Sequence, residues 1–223
     1  MRHHPDEDQL IAYAAGTQTA AVEVLMASHL TLCPACRVHV GELEDIGGAM
    51  LDVVAPEASD AGMLDRLMTM LDHDAHAVGG AATAVARPDR AETAADGLLL
   101  PRPLRRHIGA DIDRLEWRQA VRGVERAPLP IDNRGGRSYL LRAQPGCFVP
   151  RHRHTGNELV LVLDGAYSDV YGHYERGDFT VLTAEMEHHP MADPDGVCLC
   201  LVVADGPIRL TGRLSRLLNR FIR

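Results

Sequence analysis

No lysine occurs anywhere in the 223 residues, so all 23 strongly basic side chains are arginine, an absence for which coding bias is the simplest account. Positive charge is short as well: 31 acidic groups leave a formal charge of −8, which argues against general nucleic-acid binding by the chain. Aromatic residues are scarce at 4%, while the 46% apolar and 24% charged content is that of an ordinary soluble globular protein. Long hydrophobic runs are missing; the longest, such as 197–203, have the length of a strand and not of a membrane span. The first residues are acidic and carry no apolar signal core, so the expectation is a cytoplasmic protein without a membrane segment. In that compartment thiols stay reduced, and paired cysteines bind metal more often than they form structural disulfides.

Against this background, His29-Leu30-Thr31-Leu32-Cys33-Pro34-Ala35-Cys36 stands out. It reads as the end of one helix running into the start of another. His29 lies one helical turn before Cys33, so imidazole and thiol face the same point. Pro34 suits a first helical turn, whose N–H groups stabilise thiolates. Cys33 and Cys36 have the spacing that lets two sulfurs share one tetrahedral ion, and three such ligands favour zinc. A closed site needs a fourth, which His3 or His4 could supply. The competing reading is a thioredoxin-like redox pair, but no strand pattern precedes the two cysteines.

Residues 6–73 carry helical periodicity. Leu10, Ile11 and Ala14 follow an acidic first turn and Gly16 ends it; a second helix runs over 19–32; a third starts near Pro34 and stops before Gly47-Gly48. A fourth follows Ser59-Asp60, with Leu64, Leu67, Met68 and Leu71 on one side and Met63 and Met70 widening the apolar arc. So small a helical unit cannot cover two apolar faces of one helix, and the surplus points to a groove for a partner. Residues 74–97 are Ala-rich and aperiodic, as in a linker. After Gly109 come short strands, including 139–141, 158–163, 179–182 and 197–203, parted by Gly- and Asp-rich turns, the pattern of a jelly-roll sandwich or barrel. Leu214, Leu217, Leu218 and Phe221 then mark a short terminal helix. The fold class is α+β multidomain: an N-terminal all-α unit over 1–73, a linker over 74–108 and a C-terminal all-β unit over 109–223.

The strand region contains Gly146-x5-His152-x-His154-x3-Glu158-x6-Gly165. Two histidines at i, i+2 project from one side of a strand, and Thr155-Gly156-Asn157 allows a bend that returns Glu158 from the next. Two imidazoles and a carboxylate suit zinc, iron, manganese or nickel, with His188 or His189 as a fourth ligand. Cys198 and Cys200 alternate on one face of an apolar strand, either as small buried hydrophobes or as a redox pair.

Together these residues resemble a known family. His29-x3-Cys33-x2-Cys36 with an N-terminal His is the pattern of zinc-binding anti-sigma factors, and 146–165 matches the first cupin motif at every spaced position. Residues 177–188 follow the second cupin motif in spacing, with Thr183 where Pro is usual and Glu185 where Gly is usual. The joint architecture resembles the ChrR-type anti-sigma factors. The resemblance implies a helical domain that holds zinc through His4, His29, Cys33 and Cys36 and inhibits an extracytoplasmic-function sigma factor. It also implies a cupin sensor domain that holds zinc or another divalent transition metal through His152, His154, Glu158 and His188 and frees the sigma factor under photo-oxidative stress. No catalytic residue, no enzyme activity, no direct DNA contact and no membrane follow from it. The rival class is a metal cupin enzyme of dioxygenase or isomerase type with a helical docking domain.

Overall fold

A computed structural model describes residues 1–58, 60, 62–77, 100–109 and 112–212. The terminal helix expected over 211–223, the proposed cap Ser59 and most of the Ala-rich linker lie outside the described residues. Asp6 opens α1 (Glu7–Ala14) with a reciprocal cap, its carboxylate accepting from Gln9 N–H while the Gln9 side chain accepts from Asp6 N–H. Thr19 caps α2 (Ala20–Leu32), and α3 (Pro34–Asp52) follows after a single residue, Cys33, with the chain bending by 119°. The third helix does not stop at Gly47-Gly48: it passes through them, because interior glycine costs only about 1 kcal/mol each and Ala49, Met50 and Leu51 propagate the turn. A fourth helix, α4 (Met63–Ala77), and a fifth, α5 (Arg102–Ile108), complete the α-helices among the described residues. The α5 helix lies beyond the Ala-rich stretch, at the end of the 74–108 span assigned to the linker, and it forms because Leu104 is fully buried. Among the described residues, no single helix is long and apolar enough to cross a membrane.

Among the described residues, a 3-10 turn at Ile112–Arg114 is followed by twelve short strands. These are β1 (Arg118–Val121), β2 (Val124–Pro128), β3 (Arg137–Ala143), β4 (His152–His154), β5 (Glu158–Asp164) and β6 (Ala166–Ser168). They continue as β7 (His173–Glu175), β8 (Phe179–Leu182), β9 (Glu187–His188), β10 (Met191–Ala192), β11 (Cys198–Ala204) and β12 (Ile208–Leu210). Pairing is antiparallel throughout: a six-stranded sheet in the order β1-β2-β3-β11-β5-β8, and two three-stranded sheets, β10-β6-β7 and β12-β4-β9.

The chain forms two compact units, Met1–Asp45 with Thr93–Arg223 and Ile46–Glu92. In the first, the central strands β5 and β11 of the six-stranded sheet are buried on both faces. Leu159, Leu161, Leu163, Leu199, Leu201 and Val203 join one core with Leu10, Leu25, Met26 and Leu104 of the helices. Their neighbours Val160, Val162, Cys198, Cys200 and Val202 join a second core with Tyr167 and Tyr174 of the small sheets. Side chains alternate across a strand, so a strand covered on both sides must be apolar at every position. That is why β5 and β11 read as continuous hydrophobic runs. The start of α2 is tied to the strand region as well: Thr19 donates to Asn133 at 2.8 Å, and Asn133 donates to the Ala204 carbonyl at 3.2 Å.

In the second unit, α4 stands out for what it leaves uncovered. Met63, Leu64, Leu67, Met68, Met70 and Leu71 are all between 46% and 70% exposed. An apolar surface of this extent on a soluble helix is characteristic of a protein-binding face.

Candidate metal centres

His4, His29, Cys33 and Cys36 come together: their ligand atoms all lie within 4.8 Å of one another. Local sequence dictates the arrangement. Cys33 caps the C-terminus of α2, its N–H donating to the His29 carbonyl, so both face one point; Cys36 sits in the first turn of α3. The N-terminal arm delivers His4, whose Nδ1 is 3.4 Å from Cys33 Sγ and 3.3 Å from Cys36 Sγ. His3 points elsewhere and packs on the ring of Tyr174. Of the two histidines that could have completed the set, it is His4 that meets the thiols.

The donor set fits a cation. His29 is fully buried, and its Nδ1 is 2.9 Å from the Gly177 carbonyl. A carbonyl only accepts, so Nδ1 carries the proton and Nε2 the lone pair. That Nε2 is buried without a partner. Burial drives the His29 pKa down, and burial together with Cys33 pushes the Cys36 thiol up to about 12. A neutral imidazole with a lone pair aimed at two thiols is ready to trade their protons for a metal ion.

The second cluster joins His152 and His154 of β4, Glu158 at the start of β5 and His188 of β9, again with all ligand atoms within 4.8 Å and all four residues buried. Pairing of β4 with β9 sets His152 directly opposite His188. His189, the next residue, turns away and packs on Phe148. His152 Nδ1 donates to the Pro150 carbonyl at 2.8 Å and His188 Nδ1 donates to Asp169 at 3.0 Å. Both Nε2 atoms therefore carry lone pairs, yet they face each other at 3.0 Å. Two acceptors in that position repel unless a cation lies between them, which is the strongest physical sign that this cluster is built for one. His154 Nε2 lies 3.3 Å from Glu158 Oε2.

Burial shapes the titration of the same groups. It lowers His152 to about 4 and His154 to about 3, each helped by neighbouring imidazoles, and raises Glu158 to about 7. Tyr139, on β3, donates to Glu158 Oε1 at 3.0 Å; burial and that carboxylate hold its own pKa well above the ordinary phenol value, so it remains a donor. Of the groups that hold the candidate ligands from behind, Tyr139, Asp169 and the Gly177 carbonyl are remote in sequence from the residues they orient. Each reaches its partner only through tertiary packing, and nothing local in the sequence marks it.

A cavity of about 480 Å³ opens onto this cluster between the six-stranded sheet and the small sheets. His152, Glu158 and His188 line it together with apolar side chains such as Val124, Leu141 and Val160. Cys198 and Cys200 line it too, with their sulfurs 3.7 Å apart. The contact with Cys198 and burial raise Cys200 well above the usual thiol value, so Cys200 is held as a thiol.

The family model described as "ChrR Cupin-like domain" matches residues 105–208. Over its whole length the chain is 36% identical to the anti-sigma-E factor ChrR of Cereibacter sphaeroides, and the match spans 99% of that protein. The crystal structure of Rhodobacter sphaeroides SigE in complex with the anti-sigma ChrR contains a chain that is similar in three dimensions. It has a TM-score of 0.74 and 33% identity, covering 92% of this chain and 99% of that one.

Proposed function

Because the chain belongs to the ChrR family of anti-sigma factors, we propose that it binds an extracytoplasmic-function sigma factor, withholds it from RNA polymerase, and frees it under oxidative stress. It acts as a cytoplasmic regulator and not as an enzyme. The observation that carries this reading is the likeness, over nearly all of both chains, to a ChrR whose structure is a complex with SigE. The exposed apolar face of α4 supports it, since it offers the surface a sigma factor would cover.

In this reading His4, His29, Cys33 and Cys36 hold zinc, the ion suited to two thiolates and two imidazoles. Such an ion supplies a cross-link between the N-terminal arm and the α2–α3 joint, and its binding energy becomes folding energy of a small helical region. His152, His154, Glu158 and His188 hold zinc or another divalent transition metal in the sensing domain. The residues of this chain do the rest: Pro150 and Asp169 fix the imidazole tautomers, Tyr139 holds the carboxylate, and the largely apolar cavity gives a small oxidant a route to the cluster. A signal there releases the sigma factor only if it favours the free state over the complex.

Co-expression with a panel of extracytoplasmic-function sigma factors tests the proposal. One of them should co-elute with the chain at 1:1 and lose transcription activity in its presence. Failure of every such sigma factor to associate would overturn it.

A further inference from the structure

We propose that Asp178 is a positioning residue for the helical cluster, so that a turn of the strand region completes the ligand set of the helices. The inference rests on the reading that His4, His29, Cys33 and Cys36 hold an ion.

Asp178 is a carboxylate with 1% of its surface exposed, in the turn between β7 and β8. Its Oδ1 accepts from the backbone N–H of Arg2 at 2.7 Å and of His3 at 3.2 Å, and its Oδ2 accepts from Glu175 N–H at 3.0 Å. Phe179 N–H then donates to the His3 carbonyl at 3.0 Å. The arm is thus gripped from both its donor and its acceptor side immediately before His4. Gly177 adds room: its φ is +92°, and a Cβ there would meet the Met1 side chain at 2.8–3.0 Å. A terminal arm held this way is unusual, since chain ends are ordered only when something ties them down.

The same turn reaches the cluster a second time. The Gly177 carbonyl accepts a hydrogen bond from His29 Nδ1–H, and the Phe179 ring meets the His29 ring edge-on at 5.8 Å. Three consecutive residues, Gly177, Asp178 and Phe179, therefore orient two of the four candidate ligands, both of them imidazoles. Side chains and backbone groups that orient ligands from behind tune affinity strongly: removing one costs about 10- to 100-fold. The turn also leads directly into β8, whose Leu182 pairs with Glu158 of the other cluster. Whatever shifts β8 moves the grip on His4 and His29.

The test uses the full chain loaded with zinc and a chromophoric chelator that reports each ion as it leaves. Cys36→Ser and His154→Ala assign the two release phases to the helical and the strand-region cluster. Two variants then loosen the grip from opposite sides: Asp178→Ala removes the acceptor, and Arg2→Pro removes a donor without touching the strand region. Each should speed release from the helical cluster about 10- to 100-fold and leave the other phase unchanged. The double variant should be no faster than the Asp178→Ala single, because that change already removes the bond that Arg2→Pro removes. Release at the wild-type rate in Arg2→Pro and Asp178→Ala, or fully additive effects, would overturn the role of Asp178. Should Asp178→Ala lose both phases through misfolding, Arg2→Pro alone decides. A wild-type chain that takes up no ion at the helical cluster would instead overturn the reading beneath.

Discussion

Replacing Tyr139 with Phe removes one oxygen from the chain and leaves all four candidate ligands of the strand-region cluster in place. That oxygen donates to Glu158 at 3.0 Å inside a buried site. Hydrogen bonds to charged groups contribute about 1.5–3 kcal/mol, and about 1.4 kcal/mol is a factor of ten in a binding constant. Metal affinity should therefore fall by about 10- to 100-fold. The pH dependence gives the cause away. Burial raises Glu158 to about 7, while the Tyr139 bond pulls it down. Without the bond the carboxyl binds its proton more tightly, and that proton competes with the ion. The deficit should thus be largest at and below pH 7 and shrink at pH 8.5. Competition against a chelator of known affinity, run at pH 6.5 and 8.5, measures both effects. An unchanged affinity, or a loss of the same size at both pH values, would refute the reasoning.

Further outcomes follow from the other sites. Leu67→Glu on α4, where the side chain is exposed, should weaken sigma-factor binding at least tenfold without lowering the melting temperature, as read by titration calorimetry and thermal unfolding. Cys36→Ser should abolish ion uptake at the helical cluster and with it sigma-factor retention, measured by the metal content of the purified chain and by co-purification of the sigma factor. In the metal-stripped protein, His152 and His154 titrate below their unfolded value of 6.5 while Glu158 titrates above its unfolded 4.5. Between those two values the unfolded chain carries two protons here and the folded chain one, so stability rises with pH by about 1.4 kcal/mol per unit from this cluster. Glu158→Gln removes the opposing group and should double that slope; parallel curves in denaturant titrations would contradict the assignment.

Both candidate clusters are legible in the sequence as groupings because much of their geometry is local. A histidine one turn before a cysteine, and two histidines alternating on a strand, meet whatever the rest of the chain does. The choices between His3 and His4 and between His188 and His189 were different: only the resemblance separated them, because the arm and β9 are placed by tertiary contacts. The helices of the first 32 residues carried ordinary capping signals, whereas α3 ran through two glycines whose propensity cost the following residues outweigh. The packing of α2 on one face of the large sheet, with α5 against α2, had a visible signal that periodicity alone does not interpret. The runs in β5 and β11 are apolar at nearly every position, and a strand of an isolated barrel with a solvated face would alternate. Asp178 and Asp169 had none, since an acidic residue in a turn looks the same whether it faces water or a buried amide.

The central claim is a division of labour between a region that holds the sigma factor and one that decides when to let go. It is tested most directly by a sigma-dependent reporter in cells carrying a photosensitiser, comparing the natural chain with His154→Ala before and during illumination. The account predicts equal repression in the dark, induction on illumination with the natural chain, and continued repression with the variant. Loss of repression in the dark, or induction by light in the variant, would contradict it.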